Sequence, residues 1–157
     1  MSSNKKLQIY TDGACLGNGK KENIGGWSFV VVDGESLIYE ECEIELNTTN
    51  NRQEITAVLN SLKYCHENDI VDFVIYCDSQ YVVTGFMNWM HKWRSNGWVR
   101  GKPAALIPNY DLWKEMYYLR FKFDKVDLRW VRGHNGNQWN EYADELIEQQ
   151  ILKSYAK

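Results

Sequence analysis

Apolar residues in the N-terminal half of the chain change their period from two to 3.6 and back again, and that change limits the fold more than any other feature. Leu7-Gln8-Ile9-Tyr10-Thr11 alternates and stops at Asp12-Gly13, which predicts a strand with Asp12 at its C-terminal end. Trp27 to Val32 and Leu37 to Leu46 are rich in β-branched and aromatic residues and flank Asp33-Gly34, a strong hairpin signal. Ile55, Val58, Leu59 and Leu62 then follow helical spacing, with Glu54 in the expected first turn and Thr49, Asn50 or Asn51 as the cap. Val71 to Cys77 is a short apolar strand ended by Asp78, as Asp12 ends the first. A helix separates this strand from its predecessors, so a crossover that sets it parallel to the first strand is the economical topology.

Further along, Val82, Phe86, Trp89 and Trp93 form a helical stripe that Gly97 breaks. Pro103 and Pro108 bound a loop before a helix through Leu112, Met116 and Leu119. Lys125 to Val131 reads as a last strand and Arg132 to Trp139 as a glycine-containing loop. Ala143, Leu146, Ile147 and Ile151 mark a closing helix with Asp144 in its first turn. The expected fold is α/β: a five-stranded mixed sheet, three antiparallel strands then two parallel, flanked by helices. At 157 residues, with 44% apolar residues and 2 prolines, the chain is expected to form one domain over 1–157, with flexible ends at 1–6 and 153–157.

Cys15, Cys42, Cys65 and Cys77 are widely spaced and lack a C-x-x-C pair, so they read as free thiols rather than zinc ligands. Neither a signal segment nor a membrane-spanning run is visible, which gives the expectation of a soluble cytoplasmic protein. The net charge of -3 would argue against a polyanionic partner, yet it is unevenly spread. From Ser79 to Tyr110 there is no acid, while Lys92, Arg94, Arg100 and Lys102 all fall there.

Asp12, Glu54, Asp78 and Asp144 are the acids placed at strand ends and helix starts, where open α/β sheets build their sites. Carboxylates that converge repel unless they are protonated or bind cations, and oxygen-only ligation selects hard ions such as Mg²⁺ or Mn²⁺. Each acid also has an ordinary use. Glu54 can complete a capping box with Asn51, Asp144 can favour a helix N-terminus, and Asp12 can sit in a turn. Spacing alone therefore does not join them.

Four segments add to this reading: Thr11-Asp12-Gly13-Ala14-Cys15-Leu16-Gly17-Asn18, Thr48-Thr49-Asn50-Asn51-Arg52-Gln53-Glu54, Cys77-Asp78-Ser79-Gln80-Tyr81-Val82, and Gly133-His134 with Asn140-Glu141-Tyr142-Ala143-Asp144. In this order they resemble bacterial ribonuclease H of type 1, over roughly Leu7 to Ile151. The resemblance implies a metal-dependent endoribonuclease in which Asp12, Glu54, Asp78 and Asp144 hold two Mg²⁺ ions, with Mn²⁺ as a substitute. It implies cleavage of the RNA strand of RNA–DNA hybrids, without sequence preference, to 5′-phosphate and 3′-hydroxyl ends. His134 falls at the family's loop histidine, whose role suits a group titrating near neutrality.

By the same likeness Asn18, Asn50, Gln80 and Asn140 contact substrate, and Thr49 belongs to a pocket for a DNA-strand phosphate. The acid-free stretch corresponds to a basic protrusion that grips the DNA strand, here with Trp89, Lys92, Trp93, Arg94, Trp98 and Arg100, although helical spacing assigns at least one of Trp89 and Trp93 to the core. The implied partner is an RNA–DNA hybrid duplex, bound by a monomer away from any membrane.

Three departures qualify the likeness. Gly19-Lys20-Lys21-Glu22-Asn23 replaces a turn usually rich in proline and glycine, Ser95-Asn96 thins the protrusion's charge and predicts weaker hybrid affinity, and the loop after His134 lacks a second histidine. A hybrid-binding module without cleavage is the alternative function, and it could dispense with the acids. A related exonuclease would need a second acid two residues after Asp12, where Ala14 stands. A reverse-transcriptase domain shares the chemistry, but a free-standing enzyme fits the Met start better.

Overall fold

The computed structural model describes residues 6–133 and 136–155. Strands β1 (Leu7–Leu16), β2 (Ile24–Asp33) and β3 (Ser36–Leu46) form an antiparallel meander, with Gly34 at φ +66° in the tight β2–β3 turn. Helix α1 (Asn50–Glu67) crosses one face and returns the chain to β4 (Phe73–Cys77), which runs parallel to β1. Helix α2 (Gln80–Thr84), a π turn (Gly85–Trp89) and α3 (Met90–Ser95) follow, then a small hairpin of β5 (Val99–Arg100) and β6 (Ala105–Leu106). Helix α4 (Tyr110–Arg120), strand β7 (Asp127–Trp130) and helix α5 (Gln138–Tyr155) complete the chain. The sheet order is β3-β2-β1-β4-β7, with β7 parallel to β4, as the alternation of periods predicts.

Helices cover both faces of β2, and Ile24 to Val32 are accordingly all buried. On the α1 side Ile9, Phe29, Ile55, Leu59, Leu62 and Ile75 join Phe86, Met90 and Trp113 in one core. On the other side Ile147 and Ile151 of α5 pack with Ile24, Cys42 and Ile44. Edge strand β3 exposes Glu40, Glu43 and Glu45, charges that discourage pairing with another strand.

Several elements differ from their sequence signals. Strand β1 does not stop at Asp12-Gly13 but runs on to Leu16, because β2 offers partners throughout, Asp12 opposite Ser28 and Gly13 opposite Trp27. Parallel pairing with β4 does end there, at Thr11 opposite Cys77, so Asp12 is the first residue past the shared ladder. Helix α1 is capped by Thr49, whose hydroxyl accepts from the Arg52 amide at 3.1 Å, which puts Glu54 in the second turn and outside any capping box with Asn51. Asp144 likewise lies in the second turn of α5.

The tryptophan stripe is broken by the π turn. Its extra residue rotates the following helix, so Met90 takes the buried place expected of Trp89, which is 42% exposed. Helix α5 continues through Tyr155, into the segment expected to be loose. No described helix is long and apolar enough to cross a membrane.

Candidate active site

Asp12 points to the α5 side of the sheet and is only 7% exposed. Burial, then the charge of Asp78, then a hydrogen bond and charge from Asp144 raise its carboxyl well above the usual carboxylate range. Burial and Asp78 push Glu54 up to about 7, against a stabilising hydrogen bond from Ser79. The four acids of the sequence reading therefore share one locality.

Each acid is placed by the fold rather than by its own neighbours in sequence. Asp78 follows β4; its carbonyl accepts from the Trp130 indole at 3.2 Å, and the Val131 amide bonds the Cys77 carbonyl at 2.9 Å. Gly133 leaves room for it, since a Cβ there would lie 2.8 Å from Asp78 Oδ2. Asp144 is carried by α5, which the Ser28 hydroxyl ties to β2 through the Ala143 carbonyl at 2.6 Å. Glu54 arrives because Gly13 has no side chain, so the backbone of α1 can close on β1.

Ser79 was not singled out from the sequence, though it stands in the third quoted segment. It is buried, caps α2 by accepting from the Val82 amide at 3.2 Å, and reaches Glu54. Gln80 is exposed at the first position of α2. Asn140 is buried in the first turn of α5, whose N-terminus is capped by the Asn137 side chain accepting from the amides of Trp139 and Asn140. His134 lies outside the described residues.

Asn18 accepts from the Asn50 amide at 2.9 Å, which joins two predicted contact residues across the β1–β2 loop and the start of α1. With Thr49 they line a cleft of about 460 Å³ closed by Pro108 and Asn109. Asn109 was missed in the sequence because it is distant from the other wall, yet Arg52 bridges the two, donating to Asn109 and to Asp111 at 2.7 Å.

A second cleft, about 410 Å³, is lined by Trp89, Lys92, Trp93, Asn96, Val99, Arg100 and Gly101. Trp93 is 9% and Trp98 6% exposed, both within the core, so Trp89 is the ring this surface presents. Arg94 is not brought to that cleft: its guanidinium stands 6.0 Å over the Tyr117 ring, toward α4.

The donor set fits divalent cations of the hard type. Its charged groups are carboxylates, and Asp12 and Glu54 hold protons more tightly than usual, the expected response of crowded acids without a counter-charge. Among the described residues no three acidic, histidine or cysteine side chains are closed into a finished metal shell.

Fold and site together define a hydrolase-type acidic centre at the C-terminal ends of parallel strands. The ribonuclease H family profile matches residues 4–152. A ribonuclease H from Ehrlichia ruminantium (strain Gardel) is 41% identical over 150 residues, covering 94% of this chain and 96% of that one. LC9-RNase H1, a type 1 enzyme with the type 2 active-site motif, superposes with a TM-score of 0.76 at 31% identity, over 92% of this chain and 71% of that one. The foamy viral protease-reverse transcriptase, solved in complex with RNA/DNA hybrid, shares the fold, with a TM-score of 0.81 at 22% identity over 95% of this chain and 20% of that one. The chain belongs to the ribonuclease H family, and is an enzyme of that metal-dependent endoribonuclease class.

Proposed function

We propose that this protein cuts the RNA strand of RNA–DNA hybrids endonucleolytically and without sequence preference, leaving 5′-phosphate and 3′-hydroxyl ends. The observation that carries the reading is the burial of Asp12 beside Asp78 and Asp144, a costly arrangement that a bound cation would relieve. Asp12, Glu54, Asp78 and Asp144 would hold two Mg²⁺ ions, with Mn²⁺ able to replace them; when bound, such ions supply a water nucleophile and stabilise the leaving oxygen.

The remaining residues bind and orient. Ser79 holds the Glu54 carboxyl by a hydrogen bond. Asn18 and Asn50, already fixed to each other, face the minor groove with Gln80, where the RNA 2′-hydroxyl is read, and Asn140 at the start of α5 is a further substrate contact. Thr49 with Asn109 forms the cleft for a DNA-strand phosphate. Trp89, Lys92 and Arg100 grip the DNA strand, backed by Trp93 and Trp98 from the core, and Arg94 adds charge from the α4 side. Contacts of this kind go to the backbone and carry no base information. His134 moves protons or helps release product. The protein acts as a monomer in the cytoplasm.

Incubation with a labelled hybrid, double-stranded RNA and double-stranded DNA, each with Mg²⁺, Mn²⁺ or EDTA, tests the reading. Metal-dependent cutting of the hybrid alone is expected. A folded protein that leaves the hybrid intact with either metal refutes it.

A further inference from the structure

The β1–β2 loop carries Gly19-Lys20-Lys21-Glu22-Asn23, and its construction makes it more than a surface turn. Gly17 and Gly19 adopt φ of +75° and +87°, and the Lys20 amide bonds the Gly17 carbonyl at 2.9 Å, closing a tight bend. Asn23 then pins the loop to the start of α1: its side chain accepts from the Thr48 amide at 2.8 Å and donates to the Lys20 carbonyl at 3.2 Å, while its carbonyl accepts from the Asn47 amide at 2.9 Å. Asn18 adds its bond to the Asn50 amide. The loop is thus held rigidly against the same segment that supplies Thr49 and Asn50.

Lys20 and Lys21 are both exposed and stand in no ion pair among the described residues. Glu22 is the one acid in the loop, and Lys20 and Glu22 line a groove on the far side with Leu16 and Tyr155. Gly19 lines the Asn18–Thr49–Asn109 cleft on the near side. Lys20 thus faces the groove beside Glu22, and Lys21 is exposed next to it on a loop that borders the cleft at Gly19. Strand β1 runs four residues from Asp12 to Leu16 before this loop begins, roughly 13 Å at the rise of an extended strand. Beyond the loop, β3 presents Glu43 and Glu45, which repel a polyanion.

We infer that Lys20 and Lys21 bind a backbone phosphate of the hybrid several nucleotides from the scissile bond, and so set the limit of the substrate track opposite the Trp89–Lys92–Arg100 cleft. This rests on the hybrid-cleaving reading and deepens it. A pinned loop loses little freedom on binding, so two unpaired cations there hold phosphate better than lysines on a mobile turn. They also offset a protrusion thinned by Ser95-Asn96.

The test compares wild type with the paired variant Lys20→Gln/Lys21→Gln and each single variant, with Lys125→Gln as a control for lost surface charge. On a long hybrid the paired variant should raise KM about fivefold at unchanged kcat, and flatten the plot of log affinity against log salt by about 1–2. On a hybrid cut back to the scissile region its KM should equal that of wild type. Neutral methylphosphonates placed in one strand at a time should abolish the wild-type advantage only in the strand that supplies the phosphate. Unchanged KM and salt slope on the long hybrid overturn the inference, as does an equal effect of Lys125→Gln. Failure of wild type itself to bind or cut hybrids instead overturns the reading of function.

Discussion

A Cβ placed on Gly13 would lie 2.3 Å from the Glu54 amide nitrogen and 2.4 Å from the Gln53 carbonyl carbon. Gly13 is an ordinary strand residue rather than a left-handed one, so it serves by close approach: the backbone of α1 sits against β1 where any side chain would stand. That approach brings Glu54 into the locality of Asp78.

Gly13→Ala should therefore force α1 away. Overpacking of this kind costs about 2–3 kcal/mol, roughly 5–10 °C in Tm, and kcat should fall at least about tenfold as Glu54 moves. Gly34→Ala is the contrast: Gly34 needs its positive φ but has nothing within reach of a Cβ, so it should cost about 1 kcal/mol and leave kcat alone. Equal kcat in both variants would refute the positioning role.

Asp12→Asn should reduce cleavage more than about 100-fold while hybrid binding survives. In EDTA at neutral pH its Tm should not fall below that of wild type, because the substitution removes an ionisable carboxyl whose charged form burial, Asp78 and Asp144 disfavour. Calorimetry with single-turnover cleavage separates the two effects, and a large drop in Tm would mark Asp12 as structural.

Stability of the metal-free protein should decline as pH rises. Glu54, pushed up to about 7, and Asp12, raised well above the usual carboxylate range, bind protons more tightly folded than unfolded. The Glu54 contribution is complete below its ordinary value of 4.5 and is lost as pH climbs through about 7, and that of Asp12 is likewise lost with rising pH. Tm in EDTA should fall by a few degrees between about pH 5 and about pH 8, and saturating Mg²⁺ should reverse that slope by favouring the ionised acids. A Tm in EDTA that rises across this window would contradict the assignment.

The π turn separates the tryptophans by function. Trp98→Ala should cost about 3–5 kcal/mol, as emptying a core site does. Trp89→Ala should shift Tm by no more than about 2 °C, since its ring is 42% exposed, yet raise KM for the hybrid. Thermal melts and steady-state kinetics on the two variants decide this, and a Trp89→Ala protein with unchanged KM would remove that ring from the substrate surface.

Local patterns carried much of this molecule. Alternation in Leu7 to Thr11 and Trp27 to Val32, the Asp33-Gly34 turn and the spacing of Ile55, Val58, Leu59 and Leu62 are each governed by contacts within a few residues, and the strands, hairpin and helix they announce are present. The motifs around Asp12, Glu54, Asp78 and Asp144 single out these four acids. Where β1 ends was not legible, because its continuation past Asp12 depends on partners in β2 that lie far along the chain. The π turn was hidden for a similar reason: Gly85 packs against Trp113, where a Cβ would lie 2.4 Å from the ring.

The sequence by itself determined the main strands and helices, the four acids expected to share a site, and the gathering of cationic residues in one stretch. Only the tertiary structure decided that Gly13 serves Glu54, that Asn109 closes the cleft begun by Asn18 and Thr49, that Arg94 turns toward Tyr117, and that Lys20 and Lys21 are pinned beside the start of α1. Periodicity reports the environment of a residue averaged along its own element. Steric exclusion, burial of charge and the rigidity of a loop depend on atoms brought together from distant segments, and they exist only once the sheet and helices have packed.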